Sequence, residues 1–82
     1  MSNIAWRGPN PYKIAFTKAS QIHNSRREVY SDVWACMSIE SLLYAAIFKL
    51  ERARFTEEPE KKLDDILDAF NYIVFTIARL NK

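Results

Sequence analysis

The chain holds one glycine and three prolines in 82 residues, and their placement limits the fold more than any other feature. Gly8, Pro9 and Pro11 crowd into "RGPNP", and Pro59 stands alone. The long stretch between Pro11 and Pro59 therefore lacks the two residues that most often punctuate secondary structure. No alternation of apolar and polar residues with period two occurs, so there is no strand pattern. Long helices with short connections are the economical reading, and the fold class expected is all-α.

Residues 1–11 read as an irregular N-terminal arm and 12–82 as a single helical domain. A first helix is expected from about Tyr12 to Asn24, with a resumption through Tyr30; Ile14, Ala15, Ala19 and Ile22 form its narrow apolar stripe. "YSDVWACMS" is a connection or a short turn of helix, pinned to the core by Trp34 and Met37. Ser38 then suits an N-cap, because its hydroxyl can accept an orphan amide hydrogen bond. Ile39, Leu42, Leu43, Ala46, Ile47 and Leu50 follow at steps of three and four, which places them on one inward face. Arg52 and Arg54 close this second helix, where positive charge suits the dipole. Pro59 opens a third helix running to about Leu80, at the position where a missing amide donor costs nothing.

The third helix has an expected inward face of Leu63, Ile66, Leu67, Phe70, Val74 and Ile77. Tyr72, Ile73 and Phe75 lie off that face and are apolar too, so from Phe70 onward the helix is greasy nearly all round. Such a helix is buried on more than one side. A three-helix monomer does not cover it, whereas two copies packed as a four-helix bundle do. The expected architecture is a hairpin of two long helices plus an N-terminal helix, completed by self-association into a dimer or higher homo-oligomer. With 49% apolar residues, the chain is too rich for disorder, yet 82 residues alone make only a thin core.

Several function classes fall away. A net charge of +2 lacks the basic excess of a duplex-DNA binder. No apolar run reaches membrane-spanning or signal-peptide length, so a soluble protein without a membrane partner is expected. The single cysteine, Cys36, cannot staple the chain, which fits a reducing cytoplasm. It is expected as a small buried hydrophobe, since a reactive thiolate needs a cationic or helix-N-terminal setting.

Chemistry concentrates on the polar groups of the two long helices. Asp65 and Asp68 are neighbours on one helical face, and Tyr72, Phe75 and Arg79 continue their stripe. Folding the two helices together about Glu57 brings Lys49, Glu51 and Arg52 opposite these acids, with Lys49 level with Asp65 and Ile66. Two readings compete. In the structural one, Lys49 and Arg52 neutralise Asp65 and Asp68, because partly buried charges need partners. In the functional one, Glu51, Asp65 and Asp68 hold a magnesium ion through hard oxygen ligands. Lys49, Arg52 or Arg26 then meet phosphates directly.

"YSDVWACMSIESLLYAAIFKLERAR" followed by "DDILDAFNYIVFTIARL" resembles the nucleotide-modification-associated domain family, small helical proteins of phages and bacteria. Tyr30, Trp34, Ser38, Lys49, Arg52, Asp65, Asp68, Asn71 and Tyr72 carry the likeness, which covers residues 30 to 80. Where that family tends to have a glycine after the tyrosine, this chain has Ser31. A more distant likeness is to the all-α NTP pyrophosphatases of the MazG type, whose metal-binding helix spaces two acids as Asp65 and Asp68 are spaced. Their glutamate cluster is missing here: Glu40 and Glu51 lie about 16 Å apart along one helix.

The resemblance implies a small phage-type or bacterial protein of the host cytoplasm that binds a nucleotide, sequestering it or presenting it to a modification pathway without strong hydrolysis. Lys49, Arg52 and Arg26 would contact phosphate. Asp65 and Asp68 would orient these cations or hold the metal, while Asn71 and Tyr72 would read or stack on a base. A different class is a non-enzymatic module that inhibits a host protein, such as a defence component, through Trp6, Arg7, Tyr12, Phe16 and "SRRE". A residual magnesium-dependent pyrophosphatase ranks third.

Overall fold

The computed structural model describes residues 5–81. Helix α1 spans Pro11–Tyr30, α2 spans Ile39–Phe55 and α3 spans Pro59–Leu80, with a single 3-10 turn at Val33–Cys36 between α1 and α2. The chain is all-α. The second and third helices pack as a hairpin, and α1 packs against α3.

Local chemistry sets each boundary. Pro11 occupies the first turn of α1, and the Asn10 side chain accepts from the amides of Tyr12, at 2.9 Å, and Lys13, at 3.4 Å. α1 then continues unbroken to Tyr30, where a resumption after Asn24 was expected. It ends at Ser31, whose φ of 54° and ψ of −147° lie in a region that favours glycine. The hydroxyl of Ser38 accepts from the Ser41 amide at 3.1 Å and opens α2 as expected. Pro59 starts α3, with Glu60 in its first turn.

Ahead of α1, the Trp6 indole donates to the Pro9 carbonyl. The same ring covers Gly8 so closely that a Cβ there would stand 2.7 Å from it. A larger residue here would have to push the exposed Trp6 ring aside.

The core is small and built mostly from alanine: Ala19, Ala46, Ala53 and Ala69 are buried, together with Leu42 and Leu67. Small side chains let the helix axes approach closely, and Leu42 fills the joint between α2 and α3.

The apolar faces are the main departure from expectation. Leu43, Ile47, Leu50, Leu63, Ile66 and Ile77 were expected inward, and all are exposed, with Ile47 at 57% and Ile77 at 60%. At 100° per residue, Ile66 and Ile77 point almost opposite to Asp68 on α3. α1 lies along the Asp68 side, so it covers the polar seam and leaves the apolar stripe open.

A second correction concerns Cys36, which is exposed rather than buried. A 3-10 turn brings residues three apart to one side. Trp34 and Met37 share the half-buried side, and Cys36 falls outside it. Among the described residues, no helix is long and apolar enough to cross a membrane.

Candidate functional site

The hairpin sets two cations of α2 against two acids of α3. The Arg52 guanidinium donates to Asp65 through Nε to Oδ2, at 3.1 Å, and through Nη2 to Oδ1, at 2.8 Å. This two-pronged geometry is the strongest form of the pair. Asp68 takes Lys49 Nζ on Oδ2 at 3.0 Å and Arg26 Nη2, from α1, on Oδ1 at 3.1 Å. Asp65 and Asp68 are only 3% and 5% exposed, so their charges depend on these partners. Each carboxylate oxygen meets a cation.

The register differs from the one expected. Arg52 and Asp65 are equidistant from the Glu58–Pro59 junction, and so are Lys49 and Asp68. Lys49 is therefore level with Asp68, not with Asp65 and Ile66. The turn about which the helices fold sits one to two residues beyond Glu57, because Pro59 begins α3 at once.

The Arg52 hydrogen bond lowers the Asp65 carboxyl below its ordinary pKa, against the opposing effect of burial, with smaller help from the charges of Arg52, Lys49 and Arg26. The same hydrogen bond, with the charge of Asp65 next, raises the pKa of Arg52. Both shifts favour the ionised pair.

The expected metal ligands do not come together. Glu51 turns away to Arg54, 3.2 Å distant. No group of three or more His, Cys, Asp or Glu side chains suited to a metal occurs among the described residues. Asp65 and Asp68 are already neutralised by cations, so this donor set does not fit a magnesium ion.

Arg26, Lys49, Arg52, Lys61, Asp64, Asp65 and Asp68 border a charged cleft of about 460 Å³. Arg26 and Asp68 also belong to a second cleft of about 390 Å³ between α1, the 3-10 turn and α3. Its α3 wall carries Asp68, Asn71, Tyr72 and Phe75; α1 contributes His23, Arg26, Arg27 and Tyr30. The Trp34 and Phe75 rings stack at 4.5 Å between centroids and 13° between planes. Tyr72 meets Phe75 edge-on, and His23 lies 4.9 Å from it. Arg27 is held at 3.1 Å by Asp32, just past the end of α1.

Two polar residues hold this cleft together. Asn71 donates from Nδ2 to the Ala19 carbonyl at 2.9 Å, which ties α3 to α1 and leaves its Oδ1 as an acceptor. Arg79 donates from Nη1 to the Met37 carbonyl at 2.6 Å and fastens the 3-10 turn to α3.

The structure thus joins Arg26, Lys49, Arg52, Asp65 and Asp68 in one network and places Asn71 and Tyr72 in the adjoining cleft. Glu51 stands apart. Sequence reasoning missed His23, Arg27, Trp34 and Phe75 as cleft residues. A signal was present in α1, where Ala19, His23, Arg26 and Tyr30 recur at helical spacing. What faced that stripe was not readable from it. No protein-family model, curated protein or solved structure matches the chain; what is established is a small all-α protein of three helices.

Proposed function

We propose that this protein binds a nucleotide between α1 and α3, sequestering it or presenting it to another factor. One observation carries the reading: a single cleft brings the aromatic rings of Trp34, Tyr72 and Phe75 together with two arginines of α1. A nucleotide combines a planar ring with phosphate, and needs both kinds of group. Tyr72, beside the Trp34–Phe75 stack, offers an aromatic face for the base, and Asn71 Oδ1 offers an acceptor for a base edge. Arg26 and Arg27 meet the first phosphate. Further phosphates extend past Arg26 into the charged cleft, toward Lys49, Arg52 and Lys61. The volume of about 390 Å³ is in the range of small-ligand sites. The resemblance to nucleotide-modification-associated domains supports the same class of ligand.

Hydrolysis is not part of this proposal. Metal-activated water needs carboxylate oxygens available to the metal, and those of Asp65 and Asp68 are engaged by Arg26, Lys49 and Arg52. The alternative of a module that blocks a host protein is favoured by the exposure of Trp6, Tyr12 and Phe16.

The test is thermal stabilisation by a panel of nucleosides and nucleoside mono-, di- and triphosphates, with and without magnesium, while products are followed by chromatography. Stabilisation by nucleotides without turnover is expected. No response to any member of the panel overturns the reading and moves the weight to the interaction module. Turnover that is lost in Asp68→Asn makes the protein an enzyme.

A further inference from the structure

The face of the hairpin opposite the nucleotide cleft is unpartnered and strongly apolar. Leu43, Ile47 and Leu50 of α2 and Ile66, Ile73 and Ile77 of α3 lie on it, and each is at least 40% exposed. α2 makes its main packing contact with α3 alone, so its remaining sides stay open. We infer that a second copy of this chain covers this face, so that two hairpins form a four-helix bundle with one α1 on each outer side.

The exposed area fits this occupant. The chain exposes 6803 Å², where a folded monomer of 9.6 kDa exposes about 5100 Å². The segment before α1 takes part of that excess of about 1700 Å². A standard interface needs only about 800 Å² from each partner. The radius of gyration is 14.4 Å, against about 12 Å for a compact chain of this length. Both values exceed those of a compact monomer, and the open hairpin face accounts for part of the excess.

The pattern on the face is also self-complementary. Glu40, Ile47 and Arg54 recur at seven-residue spacing and share one stripe of α2. When two such helices run antiparallel about a two-fold axis at Ile47, Glu40 of each copy meets Arg54 of the other. A two-fold interface requires this kind of self-matching surface. Between the charged ends Leu43, Ile47 and Leu50 make the stripe mostly apolar, as the centre of a stable interface is. Glu51, which pairs with Arg54 at 3.2 Å in its own chain, would share that arginine with Glu40 of the other copy.

Light scattering of the 82-residue chain, coupled to size exclusion, tests the inference. At 0.1 mM the expected mass is twice that of one chain, and Ile47→Lys and Ile66→Lys each halve it while retaining helicity. Val29→Lys, on an exposed site of α1, leaves the mass unchanged. A wild-type chain with the mass of one copy at that concentration overturns the inference. So does a double mass that neither Ile47→Lys nor Ile66→Lys alters. Hydroxyl-radical footprinting of the wild-type chain across a dilution series does not depend on the variants folding. Oxidation of Leu43, Ile47 and Ile66 that rises on dilution supports the interface, and oxidation that is independent of concentration overturns it.

Discussion

Lys49 of α2 reaches Asp68 of α3 at 3.0 Å, and both side chains are largely withdrawn from water, with 18% and 6% of their surface exposed. Arg26 touches the same carboxylate from α1. Asp68 therefore joins all three helices, and it stands between the charged cleft and the aromatic one.

Removing Lys49 leaves Asp68 dependent on a half-exposed arginine. Lys49→Met is expected to destabilise the fold by about 1–3 kcal/mol, the cost of a buried polar group that loses a partner. Adding Asp68→Asn removes the uncompensated charge. The double variant is then less destabilised than the sum of the two single ones, with a coupling of about 0.5–3 kcal/mol. Urea unfolding of the four species measures both quantities.

The pairing of Asp65 with Arg52 makes stability depend on acid. The folded-state pKa of Asp65 lies below its unfolded value, so the unfolded chain binds the proton more readily. The contribution is fully present above the unfolded carboxylate value of about 4 and is lost as pH falls through the folded one. The thermal midpoint is expected to fall as the pH drops below about 5 and on through the lowered folded-state value. In Asp65→Asn this fall is shallower, and a calorimetric pH series on both proteins gives the comparison.

Ser31 holds a positive φ of 54° at the exit of α1. A non-glycine residue in such a region costs about 1–3 kcal/mol. Ser31→Gly relieves that strain but adds freedom to the unfolded chain, which offsets part of the gain. A net stabilisation of about 1 kcal/mol is expected, seen as a higher urea midpoint with an unchanged slope. An unchanged or lower midpoint would remove the account of strain at this turn.

The two walls of the aromatic cleft should be separable by ligand. Tyr72→Leu keeps an apolar side chain but removes the ring, and is expected to weaken both nucleosides and nucleotides. Stacking of about 1–3 kcal/mol corresponds to roughly 5- to 150-fold in affinity. Arg27→Gln, at an exposed site, is expected to weaken nucleotides and leave nucleosides unchanged, and to flatten the salt dependence of binding. Calorimetric titration at two salt concentrations reads out both effects.

Much of this arrangement was legible in the residues. The absence of glycine and proline between Pro11 and Pro59 pointed to long helices, and Ser38 and Pro59 marked two of their starts. The three-residue spacing of Lys49 and Arg52, matched by that of Asp65 and Asp68, placed both pairs where an antiparallel hairpin brings them together. The register was displaced because it depends on where the turn folds, and a short helix–helix connection allows several positions. The aromatic cleft was only half visible: the α3 stripe of Asp68, Tyr72, Phe75 and Arg79 was in view, but not the α1 residues opposite it.

By itself the sequence determined which residues share a helical face, because the helical repeat is a local property of the backbone. It also pointed to α2 and α3 folding back on one another, since a short connection favours antiparallel neighbours and the matched spacing of the cations and acids suits that pairing. Only the tertiary structure decided which side of that hairpin receives α1. The apolar stripe of α1 is narrow, so its docking is governed by distant contacts: Arg26 to Asp68, and Asn71 to the Ala19 carbonyl. Those contacts draw it over the charged seam, which sets the aromatic cleft on one side of the molecule and leaves the greasy face on the other.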